Sequence, residues 1–238
     1  MKIALIGFGK MGKAILPIAR ERGHEVTLVR SASELETLTH ENTDCAIEFT
    51  RPEAAVANIR FCISQRIPVV VGTTGWYAEY DGLCHEVQNT QSSLLAATNF
   101  SIGVNLFFHV NKVLAQLMNR YPEYDVNITE IHHTEKLDAP SGTAITTAER
   151  ILQSLDRKNS WKLHPAAAPD QIEITALREP DVPGTHEVRW QSDIDELTIT
   201  HTAHGRRGFA LGAVLAAEFL HGKQGIFTMN DLLQIHKG

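Results

Sequence analysis

The 238-residue sequence has only three cysteines, Cys45, Cys62 and Cys84, and no Cys-x-x-Cys pair. An odd, scattered set excludes a disulfide framework and argues against a thiolate zinc centre. No apolar run approaches the roughly 20 residues that a membrane-spanning helix needs. Basic residues are in deficit, 22 Lys and Arg against 28 Asp and Glu, for a net charge of −6 with histidine neutral. A nucleic-acid partner calls for a basic surplus or stripe, so neither nucleic acid nor membrane is an expected partner. Met1–Ile6 runs directly into a strand pattern with no apolar leader, which points to a cytoplasmic protein. Repeats and low-complexity segments are missing too. What is there is ordinary: 43% hydrophobic and 21% charged residues, in a chain long enough for a sizeable core.

Short apolar or β-branched runs at Ile3–Ile6, Val26–Val29, Cys45–Phe49, Val69–Val71 and Leu94–Ala96 alternate with helical stretches at Lys10–Arg22, Pro52–Gln65 and Gly75–Gln88. Short strands suited to burial on both faces, alternating with helices, predict a doubly wound α/β parallel sheet. Beyond residue 100 the pattern changes. Ile102, Leu106, Phe107, Val110, Val113, Leu114 and Leu117 recur at helical spacing, predicting one long amphipathic helix. Segments 126–131, 171–177, 186–190 and 196–200 alternate with period two, as strands of a mixed or antiparallel sheet do. A helix is expected near Ser141, a loop over Asp156–Asp170, and helix from Phe209 to the end.

Gly7-Phe8-Gly9-Lys10-Met11-Gly12 follows the first strand and opens a helix. Such a turn lets backbone approach a pyrophosphate at a helix N-terminus. At the end of the second strand, where an acid would bind the ribose hydroxyls of NAD, stand Val29-Arg30-Ser31; the nearest acid is Glu34. Arg30 with Lys10 suits a 2′-phosphate, so NADPH is the preferred cofactor expected, with NADH possible. Gly72-Thr73-Thr74-Gly75 after the fourth strand is either a contact for the nicotinamide carboxamide or a plain turn.

The most informative stretch is Glu130-Ile131-His132-His133-Thr134-Glu135-Lys136-Leu137-Asp138-Ala139-Pro140-Ser141-Gly142-Thr143-Ala144. His132, His133 and Lys136 cluster just past a strand, and Ser141-Gly142-Thr143 opens a helix with free amides and hydroxyls. Cations converging on a helix N-terminus make a carboxylate or phosphate site, and histidine can give a proton near neutrality. Joint metal ligation by His132 and His133 is awkward, because adjacent strand residues face opposite ways, so no metal is expected. His201, His204, Arg206 and Arg207 form a second basic cluster, suited to the anion site or to a subunit interface.

These residues resemble the dihydrodipicolinate reductase family over nearly the whole chain. The segment from Glu130 to Ala144 carries the likeness. It is supported by Gly9–Gly12, Glu48–Pro52, Gly72–Gly75, Asn99–Asn105, Gly184–Val188 and His201…Arg206…Phe209-Ala210. The resemblance implies reduction of a cyclic unsaturated dicarboxylate by NADPH or NADH in lysine and diaminopimelate biosynthesis. It implies a Rossmann-type domain at 1–99 and 209–238 with an inserted α+β domain at 100–208 that binds substrate and builds a homotetramer. His132 matches the family's proton donor and Lys136 its catalytic cation. His133, Lys136, Ser141, Gly142 and Thr143 match the positions that hold the substrate carboxylates. Gly7, Gly9, Lys10, Met11, Gly12, Arg30, Gly72, Thr73, Thr74, Ala97, Asn99 and Phe100 match the cofactor positions. The chain departs from the family in being shorter than many members, with a glycine turn one residue shorter than the GxxGxxG form. The second strand also lacks the usual acid. Another reductase of similar build would keep the glycine turn but lack the His132–Thr143 stretch. A non-catalytic NADP(H) sensor would have little use for a second anion site.

Overall fold

The computed structural model describes residues 1–165 and 168–235. The chain divides into two compact units, Met1–Ile102 with Arg206–Gly238, and Gly103–Gly205. The first unit opens with β1 (Lys2–Ile6), α1 (Lys10–Glu21), β2 (Glu25–Val29), α2 (Ala32–Leu35) and β3 (Cys45–Glu48). There follow α3 (Pro52–Ser64), β4 (Val69–Val71), a 3-10 turn at Tyr77–Glu79, α4 (Tyr80–Thr90) and β5 (Ser93–Ala96). The second unit holds nearly all of α5 (Ile102–Met118), then β6 (Asp125–His132), α6 (Gly142–Leu152), β7 (Ser160–Leu163), β8 (Gln171–Arg178), β9 (Thr185–Gln191) and β10 (Glu196–Thr202). The chain returns to the first unit with α7 (Arg207–Leu220), β11 (Gly225–Phe227) and α8 (Met229–Leu232).

The first sheet has six strands, all parallel, in the order β11-β5-β4-β3-β1-β2. Its inner strands bury both faces by alternation. Ile3, Leu5, Ile47 and Leu95 join Ile15 of α1 and Ala213 and Ala217 of α7 in one apolar layer. Ala4, Ile6, Ala46 and Leu94 join Ile59 of α3 and Leu83 of α4 in the other. Each fully buried Ile or Leu contributes roughly 1.5–3 kcal/mol. Covering helices on both faces are what an all-parallel sheet requires.

The second sheet is mixed, in the order β10-β9-β6-β8-β7. β6 pairs parallel to β8 and antiparallel to β9. Val126, Ile128, Ile172, Ile174, Val188 and Trp190 pack with Phe107 and Ala115 of α5 and with Ala144, Ala148 and Ile151 of α6. These two sheets give the parallel α/β unit and the α+β unit that the strand patterns predict.

Several elements differ from the sequence reading. The helix expected from Gly75 starts at Tyr80, because Gly75 takes φ +84, outside the helical region. The expected loop over Asp156–Asp170 contains β7, which pairs on one side only, with β8; its residues 166 and 167 lie outside the described residues. The terminal helix ends at Leu220, where Gly222 (φ +73) and Gly225 (φ +117) turn the chain into β11. Residues 236–238 of that expected helix are likewise outside the described residues. In α5 the core face is Val104, Phe107, Phe108, Asn111 and Ala115, whereas Leu106, Val110, Val113 and Leu117 are exposed. The helix is apolar on two sides, and periodicity alone does not say which side meets the sheet. No helix among the described residues is long and apolar enough to cross a membrane.

Candidate functional site

In the first unit the strand order reverses at β1, with β2 on one side and β3 on the other. Loops at the carboxyl ends of strands beside such a reversal diverge and leave a crevice. There the Gly7 amide donates to the Val29 carbonyl (3.0 Å) and the Phe49 amide to the Ile6 carbonyl (2.9 Å). Gly7 has φ +93, and a Cβ on it would lie 2.2 Å from the Phe49 carbonyl oxygen. Only glycine fits. The resulting pocket is lined by Gly7–Gly9, Lys13, Arg30, Ser31, Thr50 and Arg51, among others. The N-terminus of α1, at Gly9, has no side-chain cap and no acid in its first turn, so its amides are available to an anion. A Cβ on Gly9 would meet nothing within 4 Å, so there is open room for a phosphate against the turn. The Arg30 guanidinium lies 5.1 Å from the Phe8 ring centroid. A dinucleotide fits this donor set.

The other expected cofactor residues are distributed along the same strand ends. Lys10 is exposed and Met11 half-buried in the first turn of α1; Gly12 is buried against Gly7. The Gly72 amide donates to the Glu48 carbonyl (2.9 Å), and Thr73 Oγ1 accepts from the Thr50 amide (2.8 Å), tying the turns after β3 and β4 together. Thr74 is exposed beside them. After β5, the Ala97 amide donates to the Val71 carbonyl (3.1 Å), Asn99 Oδ1 accepts from the Ser101 amide (2.9 Å), and Phe100 is buried 5.9 Å from the Phe49 ring. Glu48, to which the sequence reading assigned no role of its own, sits fully buried beneath these turns. Burial pushes its carboxyl above the usual range against hydrogen bonds from Thr50, Thr73 and Asn58.

In the second unit, the helix-covered face of the sheet changes character along β6. Val126 and Ile128 give way to Glu130 and His132, which alternation places on the same buried side. Pairing supplies their neighbours: Glu130 stands opposite His186 on β9, His132 beside Arg178 on β8, and His186 opposite His201 on β10. The Ser141 amide donates to both Glu130 carboxylate oxygens (3.1 and 3.0 Å), and the Ser141 hydroxyl bonds His186 Nε2 (3.1 Å) and accepts from the Ala144 amide (3.2 Å). Ser141 is thus the N-cap of α6 and is itself held by the sheet. Arg178 donates to the carbonyls of Lys136 (3.2 Å) and Asp138 (2.7 Å), stapling the loop that follows β6. Lys136 Nζ contacts both Asp138 oxygens at 2.8 Å.

Burial holds the His132 imidazole below its ordinary value, and His186, Lys136 and Arg178 push it further down against the pull of Glu130. Burial alone would raise the Glu130 carboxyl. The His186 imidazole 3.7 Å away, the hydrogen bonds from Ser141 and the nearby His132 more than offset it and hold the acid well below the usual range. His201 is also held low, by burial and by His186.

His132, Lys136, Ser141, Gly142 and Thr143 therefore gather at one end of the second unit, around the start of α6. His133, the next residue after His132, is half-buried and does not share the helix-covered face. The second basic cluster is divided, His201 and His204 in the second unit and Arg206 and Arg207 in the first, where Arg207 pairs with Glu21 (3.0 Å). Sequence reading assigned no part to Arg178 or His186, whose place depends on strand pairing. Glu130, two residues before His132, was open to the alternation argument. Glu130, His132 and His186 bring ligand-type atoms within 4.8 Å of one another. Arg178, 3.6 Å from Glu130, and the adjacent Lys136 make the spot unfavourable for a cation, so it reads as an acid–base cluster.

Two family models match the chain: "Dihydrodipicolinate reductase, N-terminus" over residues 1–100 and "Dihydrodipicolinate reductase, C-terminus" over 103–233. The chain is 47% identical over 234 residues to the 4-hydroxy-tetrahydrodipicolinate reductase of Christiangramia forsetii, covering 98% of both chains. It is 35% identical over 201 residues to the enzyme of that name from Neisseria meningitidis serogroup C, covering 82% of this chain and 74% of that one. Its fold is similar to the dipicolinate-bound dihydrodipicolinate reductase of Paenisporosarcina sp. TG-14 (TM-score 0.78, 22% identity, 96% and 97% of the two chains). A more distant likeness is to an amine dehydrogenase of Mycobacterium smegmatis (TM-score 0.58, 12% identity, 95% and 94% covered). With a family model matched in each half and a close relative matched end to end, the chain belongs to the dihydrodipicolinate reductase family.

Proposed function

We propose that this chain reduces 4-hydroxy-tetrahydrodipicolinate to tetrahydrodipicolinate with NAD(P)H, the reduction step of lysine and diaminopimelate biosynthesis. The carrying observation is the cluster at the start of α6, where a capped helix N-terminus, Lys136 and His132 converge. It is chemistry suited to a small dianion and to a proton transfer. The first unit, 1–99 with 209–238 in this reading, binds the dinucleotide; residues 100–208 bind the substrate. A bound reduced nicotinamide supplies hydride. His133, Lys136, the Ser141 hydroxyl and the Gly142 and Thr143 amides hold the carboxylates, which compete with Asp138 for the Lys136 ammonium. Loss of the 4-hydroxyl as water, with a proton from the neighbouring ring carbon, leaves a ring double bond conjugated with the imine. Hydride adds to the carbon that bore the hydroxyl and His132 gives a proton to its neighbour, so the net change is one hydride and one proton added and one water lost.

Gly7, Gly9, Lys10, Met11 and Gly12 cradle the pyrophosphate, and Gly72–Thr74 with Ala97, Asn99 and Phe100 hold the nicotinamide end. Arg30 takes the 2′-phosphate, making NADPH the preferred donor. Membership of the family supports a homotetramer built through the sheet of the second unit, and the protein works in the cytoplasm. Loss of absorbance at the reduced nicotinamide band, on adding freshly generated substrate, tests the activity. His132→Gln is expected to cut kcat roughly 10²–10⁴-fold. No turnover by the wild type, or an undiminished rate in the variant, overturns the respective statement. Light scattering is expected to give the mass of four chains; a monomer would refute the assembly.

A further inference from the structure

We propose that Glu130 is a positioning residue: its buried carboxylate ties the start of α6 to the imidazole of His132, with His186 as the second imidazole on the same carboxylate. The inference rests on the reading of His132 as proton donor and says how that ring is aimed. Glu130 is fully buried, and both its oxygens accept from the Ser141 amide at the N-cap of the helix proposed to hold substrate. Its Oε2 lies 3.7 Å from His132 Nδ1 and 3.7 Å from His186 Nε2. His132 Nδ1 is buried and has no hydrogen-bond partner, and this carboxylate stands 3.7 Å from it. A small rotation of either side chain closes the gap, as catalytic hydrogen bonds commonly do when ligand arrives.

The opposite edge of the ring is equally constrained. His132 Nε2 would be 3.1 Å from a Cβ on Gly184, and His186 meets the ring edge-on at a centroid distance of 5.0 Å. The imidazole is therefore held with Nδ1 toward Glu130, which leaves Nε2 as the nitrogen that takes up a proton and, as imidazolium, passes it to substrate. The strands around β6 and the loop after it each contribute a charged or titratable group here. β6 supplies Glu130, the following loop Lys136 paired with Asp138, β8 Arg178, β9 His186, and β10 His201 behind His186. Among them Glu130 is the anion nearest the ring, so it is the group that stabilises an imidazolium at His132. Because the same carboxylate anchors the Ser141 amide, the proton donor and the carboxylate-binding helix end are set by one side chain.

Long-range 15N–1H NMR of histidine-labelled wild-type protein tests the aim of the ring without reference to activity. The expected result is His132 protonated at Nδ1 and bare at Nε2; the opposite tautomer overturns the proposal. Glu130→Gln keeps an acceptor for the Ser141 amide but removes the charge. Its kcat is expected to fall about 10–100-fold, the range for losing a carboxylate that orients a functional histidine. KM should change less, the alkaline limb of the kcat profile, where His132 loses its proton, should move to lower pH, and Glu130→Asp should recover part of both. A variant that only melts earlier, with kcat and pH profile unchanged, makes Glu130 purely structural and sinks the idea. Should Glu130→Gln fail to fold, the wild-type tautomer decides alone. Full turnover by His132→Gln would instead refute the proton-donor reading, so the two failures are distinct.

Discussion

Arg30 stands exposed at the end of β2 beside Ser31, and Glu34, the nearest acid, turns back to accept the Arg30 amide. The Glu34 carboxylate is engaged by that amide, while the exposed Arg30 guanidinium is well shaped for a phosphate. Arg30→Ala should therefore lower kcat/KM for NADPH about 10–100-fold, the value of a charged hydrogen-bonded contact of roughly 1.5–3 kcal/mol. The value for NADH should scarcely move. Steady-state kinetics with both cofactors checks it, and an equal loss for both would mean that Arg30 does not read the 2′-phosphate. Arg30 and the Glu130–Thr143 stretch could be singled out from sequence because their chemistry is local: a strand end, a helix cap, adjacent cations. His186 and Arg178 could not. Their neighbours come from β9 and β8, and strand pairing across more than forty residues leaves no local trace.

Helix α7 is built from Ala210, Gly212, Ala213, Ala216 and Ala217, small residues that let it lie close over the sheet. At Gly212 the approach is limiting, since a Cβ there would lie 1.7 Å from the Phe100 carbonyl oxygen, a backbone atom that cannot step aside cheaply. Gly212→Ala is expected to destabilise the first unit by about 1–3 kcal/mol, the usual cost of overpacking. It should also weaken dinucleotide binding, because the displaced segment is the Ala97–Phe100 stretch. Thermal melting and a cofactor titration measure both effects; an unchanged Tm would show that the contact relaxes freely. Elements of this kind differ in how readable they are. β1, β3 and β4 are apolar on both faces and bounded by turns, so their patterns speak plainly. β7 is four residues in a segment rich in proline and alanine, and β11 is three residues after a glycine-broken helix. Such strands exist because a neighbour offers an edge, and that is a tertiary fact.

Across the molecule, the titratable groups of the two units pull in different directions as pH falls. In the second unit His132 and His201 are held below their ordinary value of 6.5, so the unfolded chain takes up protons that the folded unit refuses. Their stabilising effect is complete above about pH 6.5 and is lost progressively below it. Glu130, held below its ordinary 4.5, adds a further loss once pH drops under that value. In the first unit Glu48 is held above 4.5, so folding there favours its protonated form and gains as pH falls toward 4.5, with no further gain below it. Arg22 and His24 hold Glu218 low by hydrogen bonds, a stabilisation lost only below 4.5. Between about pH 7 and pH 5, then, the second unit weakens while the first holds. Tm should fall across that window, by roughly 2–4 °C for each kcal/mol lost in a chain of this size. Amide exchange should accelerate first in β6, β9 and α6, and only at lower pH in β1, β3 and α7. A Tm that stays level from about pH 7 to 5, or exchange that begins in the first unit, would mean that the buried histidine cluster is not held neutral by its surroundings.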